Sequence, residues 1–148
     1  MEDSMEQKAS LRQTLEQKRA KYAWEKIVRI DERKRKDYRG IVQRFPSLIQ
    51  TNGLGQALAF LKAKAKDKEH SEHQYLYNHL EEWLISDKGP IPIYPDPAPN
   101  EKEGFKLINR LISNDSTNYR HATMEALALM KWLKRFAEAL APEDKDEG

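Results

Sequence analysis

Gly53 and Gly55, two apart in the string NGLGQALAFLKAKAKDK, leave bare backbone at the start of a helix, where N–H groups could hold an anion. No Gly-Lys-Ser/Thr follows and no strand precedes, so this is not a phosphate loop of the nucleotide-hydrolysing kind. The residues themselves favour a tight helix–helix junction. Thr51 and Asn52 can cap a helix start, and Gly53 can take a backbone angle closed to other residues. Pro46 is placed to open a short helical turn through Ser47, Leu48 and Ile49 that leads into the junction. Beyond it come Lys62, Lys64, Lys66 and Lys68, a ladder of cations suited to phosphate.

Other residues invite chemistry less well. His70, His73 and His79 include a pair three apart, close on a helix, but a zinc site wants a third or fourth ligand with ordered support, and no HExxH is present. They are read as surface histidines, and neither a metal nor a cofactor is expected. His121 and Glu125 lie four apart, a spacing that ordinarily stabilises a helix surface. The chain has no cysteine, which removes disulfides, thiolate metal sites and cysteine nucleophiles together, and it shows no nucleophile elbow. No catalytic constellation emerges, and the chain is expected not to be an enzyme.

Binding through charge needs less geometry. The formal net charge of +2 hides an uneven distribution: residues 18 to 44 carry eleven Lys and Arg, from Lys18, Arg19 and Lys21 to Arg39 and Arg44, while Glu143 to Glu147 is mostly acidic. Such a cluster is either a solvated helical face or a surface for phosphates, each contact releasing counterions. No signal peptide and no apolar run long enough to span a membrane is evident, so a cytoplasmic protein with no membrane partner is expected.

The elements that must position these groups are helices. Leu11, Leu15, Tyr22, Ala23, Ile27 and Ile30 trace a first helix that breaks near Asp31 or Asp37; Tyr38, Ile41, Val42 and Phe45 restart the stripe and deliver the chain to Pro46. A third helix follows Gly53. Ser71 to Gln74 has the form of a capping box for a fourth, reaching Ile85. Residues 86–100 form a proline-rich loop, read as an extended surface strap. Asn100 is expected to cap a fifth helix, and a sixth runs from Thr117 to Leu140. In that last helix Tyr119, Thr123, Ala126, Met130, Leu133, Ala137 and Leu140 make one seam, widened by Ala122, Leu129, Trp132 and Phe136, which marks it as central. Strand patterns are absent. The expectation is an all-α, single-domain helical bundle of about six helices at 11–140, with a disordered N-terminus at 1–10 and an acidic tail at 141–148.

The string NGLGQALAFLKAK after Pro46 and two aliphatics resembles the signature of the small α-helical subunit of the type III-B CRISPR RNA-guided effector, the Cmr complex of the RAMP module. Tyr119-Arg120, Thr123, Glu125-Ala126-Leu127, the run Trp132 to Ala137, Gln17 to Ala20 and Tyr38-Arg39 fit the same pattern in the same order across residues 11 to 140. Residues 1 to 10 and the proline-rich loop have no counterpart in it. The resemblance implies a non-catalytic subunit of an antiviral ribonucleoprotein. Several copies would stack as a minor filament along the guide RNA–target RNA duplex, beside a backbone nuclease subunit and a large subunit. Carried over residue by residue, the RNA-binding positions it implies are Lys18, Arg19, Lys62, Lys64, Arg120, Lys134 and Arg135, and the structural junction is Pro46, Asn52, Gly53 and Gly55. These cations share one surface only if the first, third and sixth helices are neighbours. Two rivals remain: a helical protein-only scaffold or adaptor whose basic face is merely solvated, and a small hydrolase with an unfamiliar helical site.

Overall fold

The computed structural model describes residues 3–66, 68–86 and 92–142, with side chains from residue 14 onward. The acidic residues 143–148 and residues 87–91 of the proline stretch lie outside the described residues. Six α-helices follow one another: α1 Asp3–Val28, α2 Arg35–Asn52, α3 Leu54–Ala65, α4 Glu72–Ile85, α5 Lys106–Ile112 and α6 Ser116–Leu140. A single 3-10 turn, Glu32–Lys34, separates α1 from α2, and no strand forms among the described residues. The fold is all-α, as the periodicity predicts. No helix among the described residues is long and apolar enough to cross a membrane.

One core joins the helices. From α6 it takes Ala122, Ala126, Leu129, Met130, Leu133 and Ala137, which face α1, α2 and α4. The steps of three and four along α6 thus make it the central helix, with Tyr119, Thr123 and Leu140 of the same seam only half-buried. Trp132 and Phe136 are packed at the core's edge rather than within it. Around α6 the remaining contacts run between α2, α3 and α4, with α5 against α3 and α4.

The break after α1 falls where Asp31 stands. Its carboxylate accepts the Arg33 N–H at 3.0 Å and so caps the 3-10 turn, while the Arg35 guanidinium returns to the carbonyls of Ile30 and Val28, each at 3.1 Å. Side-chain donors there satisfy carbonyls that a helix end leaves without partners.

Pro46 does not open a new turn. It lies inside α2, which continues to Asn52. Proline removes one hydrogen bond from a helix interior, but Tyr38, Ile41, Val42, Phe45 and Ile49 form an unbroken buried face on both sides of it. Packing of that face against α3, α4 and α6 carries the helix through.

Asn100 does not cap α5 either; the helix starts six residues later, after Phe105. Asn100 takes a positive φ of 55° and turns the chain. The Leu107 N–H in the first turn of α5 is satisfied by the Glu81 carboxylate of α4 at 3.1 Å. Between the two helices the described part of the proline-rich loop lies as a strap with Ile93 and Tyr94 buried, their N–H groups both donating to the Leu84 carbonyl. Arg110 secures it, donating to the Tyr94 carbonyl at 2.8 Å and pairing with Glu101 at 2.7 Å.

Candidate nucleic-acid interface

Gly53 ends α2 and begins α3 in one residue. Its N–H donates to the Ile49 carbonyl at 2.7 Å, its carbonyl accepts from Ala57 at 3.0 Å, and its φ of +86° is one that side chains resist. Two residues on, the Gly55 N–H donates to the Tyr119 hydroxyl of α6 at 3.0 Å. A Cβ on Gly53 would stand 2.9 Å from that same oxygen, and one on Gly55 would stand 3.3 Å from a Leu111 methyl. The glycine pair is therefore explained by close approach at the start of α3, of α6 through Tyr119 to Gly53 and of α5 through Leu111 to Gly55. The Gly55 donor is already occupied. The groove beside it, about 650 Å³ and bordered by Gly55, Ile108, Leu111, Ile112 and Tyr119, has Asp115 and no cation on its wall, a setting adverse to an anion.

The seven cations implied by the resemblance fall into different environments. Lys18, on α1, is exposed and borders a basic groove with Lys21 and Arg29. Arg19, one residue on, turns inward: Nε and Nη2 each donate to the Glu125 carboxylate at 2.8 Å, and Nη1 donates to Glu16 at 2.6 Å. Glu125, only 7% exposed, also accepts the Trp83 indole N–H at 2.9 Å. Its two oxygens thus tie α1 and α4 to α6. The bidentate bond to Glu125 raises the Arg19 pKa above the ordinary arginine value, fixing its charge.

Lys62 and Lys64, two apart on a helix that continues to Ala65, point to opposite sides as the ~100° step per residue requires. Lys62 reaches across to α4 and the residue before α5: its ammonium donates to the Gln74 side chain at 3.0 Å and lies 4.9 Å from the Tyr77 ring centre and 4.6 Å from that of Phe105. Lys64 is exposed, its ammonium 5.9 Å from the Phe60 ring. Arg120, Lys134 and Arg135 on α6 are exposed as well. Arg120 is separated from Lys134 by fourteen residues, about 21 Å along the axis. α1 and α6 are direct neighbours, whereas α3 packs on α2, α4 and α5 and meets α6 through Tyr119 at its first turn.

Some of the remaining charge between residues 18 and 44 is engaged within the chain, partly buried at Lys26 and on the surface at Arg33 and Lys34. Lys26 pairs with Glu82 at 2.8 Å, Arg33 with Asp31 at 3.1 Å, and the Lys34 ammonium donates to the His70 carbonyl at 3.0 Å.

His79 is not a surface residue. It is 7% exposed, its Nδ1 is 2.7 Å from the Tyr38 hydroxyl, its ring stacks on Tyr75, and burial pushes its pKa down to about 3. The imidazole is neutral at physiological pH. Ser71 caps α4 by accepting the Gln74 N–H at 3.1 Å, but the Gln74 side chain bonds Asn78 and Lys62, so the reciprocal half of the capping box is not made. No group of three or more metal-ligating side chains gathers among the described residues.

Fold and surface together define a small all-α protein built on one core, with a set of cations turned outward from α1, α3 and α6. Comparison with known proteins narrows this class. The family described as CRISPR-associated protein (Cas_Cmr5) matches residues 15–140. The CRISPR system Cmr subunit Cmr5 of Thermotoga maritima is 29% identical over 137 residues, covering 90% of each chain. The protein of the same name from Thermus thermophilus is 29% identical over 109 residues, 74% of this chain and 79% of its own. This chain belongs to the Cmr5 family, the small subunits of type III-B CRISPR effectors.

Proposed function

We infer that the chain acts within a type III-B ribonucleoprotein as a structural subunit with no chemistry of its own. It holds the backbone of the guide RNA–target RNA duplex, stacks with further copies of itself as a minor filament, and touches the backbone nuclease and large subunits. The setting is antiviral defence in the cytoplasm. What supports the reading, beyond family membership, is one feature of the surface. Lys18, Lys64, Arg120, Lys134 and Arg135 are exposed and make no ion pair among the described residues. Cations so placed can neutralise phosphates without exact geometry, releasing counterions and making affinity fall with salt. Arg19 and Lys62 serve the same assembly differently, by fixing the helices that carry the others.

The test is target-RNA binding by guide-loaded complex across a salt series, with Arg120, Lys134 and Arg135 replaced by alanine singly and together. Removing a cation that neutralises one phosphate should lower the magnitude of the log–log salt slope by about 0.7–0.9. Unchanged slopes with assembly intact would leave the protein-only scaffold as the better description. Metal-dependent RNA cleavage by the purified chain that disappears with His121→Ala, or with His70 and His73 both replaced, would defeat the non-catalytic reading.

A further inference from the structure

An aromatic ridge runs across the seam between α1 and α6. Trp24 is 45% exposed and packs perpendicular to Phe136, ring centres 5.3 Å apart at 84°; Phe136 in turn lies 5.5 Å from Trp132. The core accounts for it only in part, since nearly half of Trp24 is open to solvent and Trp132 and Phe136 pack against the core's edge with part of each side chain uncovered. The Trp132 indole N–H donates to Glu16 at 3.2 Å, which fixes the ring. Beside Trp132 opens a cleft of about 520 Å³, on whose wall stand Lys131, Lys134 and Arg135. None of these three cations makes an ion pair among the described residues. Of the two carboxylates at the cleft, Glu16 pairs with Arg19 and accepts from Trp132, while Glu138 accepts only from the uncharged Gln43 at 3.4 Å, so the wall sets three cations against one uncompensated carboxylate.

We propose that this ridge and cleft are a stacking site for unpaired RNA bases, with Trp24 and Trp132 as the platforms and Lys131, Lys134 and Arg135 holding the adjoining phosphates. The proposal rests on the RNA-binding reading above and adds to it a ligand class, single-stranded RNA, that backbone tracking alone does not require. A nucleotide joins a planar π-face to a negative charge within one small unit, which is the pairing that indoles bordered by cations complement. In a duplex the base faces are stacked on one another and closed to side chains, so only an unpaired or splayed-out base can use the ring faces. The cleft has the volume of a small-ligand site, room for a base with its ribose. Because every base has a π-face, the site has no strong sequence preference, consistent with specificity residing in guide pairing.

Stacking and phosphate binding separate in a salt series, since only the second releases counterions. Binding of the full chain to a short single-stranded RNA and to a duplex of the same length is measured over a range of salt for Trp24→Leu, Trp132→Leu, Trp132→Phe and Arg135→Ala. The two leucine variants should weaken single-strand binding by about five- to 150-fold, with the salt slope unchanged and duplex binding as in the parent. Trp132→Phe should retain most of the affinity, and Arg135→Ala should reduce the slope. Trp24→Leu, at an exposed position, keeps the test valid should Trp132→Leu perturb the fold. If Arg135→Ala acts but both leucine variants bind single strands like the parent, the stacking site is overturned while the RNA path stands. If the leucine variants instead lose an acidic partner protein with RNA binding intact, the ridge is a protein-docking surface and the proposal falls. If the parent chain and the assembled complex bind no RNA beyond guide pairing, both readings fail together.

Discussion

A charged residue at a motif position can face solvent or hold the fold, and Arg19 does the second. Its neighbour Lys18 carries the same charge one residue away and is exposed. The partner of Arg19, Glu125, which its spacing to His121 assigns to a helix surface, is instead buried, and its place between Ala122 and Leu129 on the stripe that builds the core is the sequence signal for that. A carboxylate on a buried stripe must have a partner, because an unpaired charge there is costly. Which cation supplies it is set by a pairing 106 residues apart in the chain, and periodicity does not reveal that. Replacing Arg19 by Ala should cost about 2–4 kcal/mol in denaturant unfolding, below the fully enclosed range because its side chain keeps 17% exposure. A loss under ~0.5 kcal/mol would mean that the clamp is not formed. His79 has the same logic, lying with Leu76, Leu80 and Trp83 on the buried face of α4. Its pKa is about 3 in the fold against 6.5 in an unfolded chain. The unfolded state therefore takes up a proton that the folded state refuses. Its contribution is full above pH 6.5 and is lost as pH falls towards 3, at about 1.4 kcal/mol per unit. Stability measured across that window should fall less steeply, by about one proton, in His79→Gln than in the parent; identical slopes would refute the assignment.

At the scale of elements, the helices were legible and their joints were not. α4 and α6 begin within a residue or so of the expected positions because Ser71 and Asp115 cap them with their own side chains, a signal carried by local sequence. α5 begins late because its first-turn donor at Leu107 is satisfied from α4, and α2 passes through Pro46 because its buried face continues; both causes are tertiary. The glycine junction lies between these cases. A turn at Gly53 could be read from the sequence, but what crowds the junction comes from far along the chain: the Tyr119 hydroxyl against Gly53, and a Leu111 methyl against Gly55, whose N–H bonds Tyr119, 64 residues on. Tyr119→Phe should cost about 1–2 kcal/mol by leaving the Gly55 N–H without its acceptor. Gly53→Ala should cost about 1–3 kcal/mol from its positive φ together with the crowding against the Tyr119 hydroxyl. Since Tyr119→Phe removes the crowding atom and leaves the φ strain, the double variant should cost less than the two single changes added together. Strict additivity would show that the hydroxyl does not constrain residue 53.

Across the whole molecule the cations divide between those that hold the bundle together and those it displays, and position in the fold rather than sequence motif makes the division. α1 and α6 are neighbours, so Lys18, Lys134 and Arg135 share adjoining helices, while α3 joins α6 at the junction and packs otherwise on α2, α4 and α5. The lysine ladder shows the division most sharply. The helix continues through both Lys62 and Lys64, so the two cannot meet one row of phosphates. Lys62 is held by Gln74 and by the faces of Tyr77 and Phe105. Lys62→Ala should therefore lower the stability of the isolated chain by about 1 kcal/mol while leaving the salt dependence of target-RNA binding by the assembled complex unchanged. Lys64→Ala should do the reverse, keeping stability within ~0.5 kcal/mol of the parent and reducing the magnitude of the salt slope by about one unit if it meets a phosphate. Lys68→Ala, beyond the end of α3, serves as the control. A slope change in Lys62→Ala equal to that in Lys64→Ala would mean that assembly draws Lys62 out from between its rings. An unchanged slope in Lys64→Ala would take α3 off the RNA path and leave the cations of α1 and α6 to carry it.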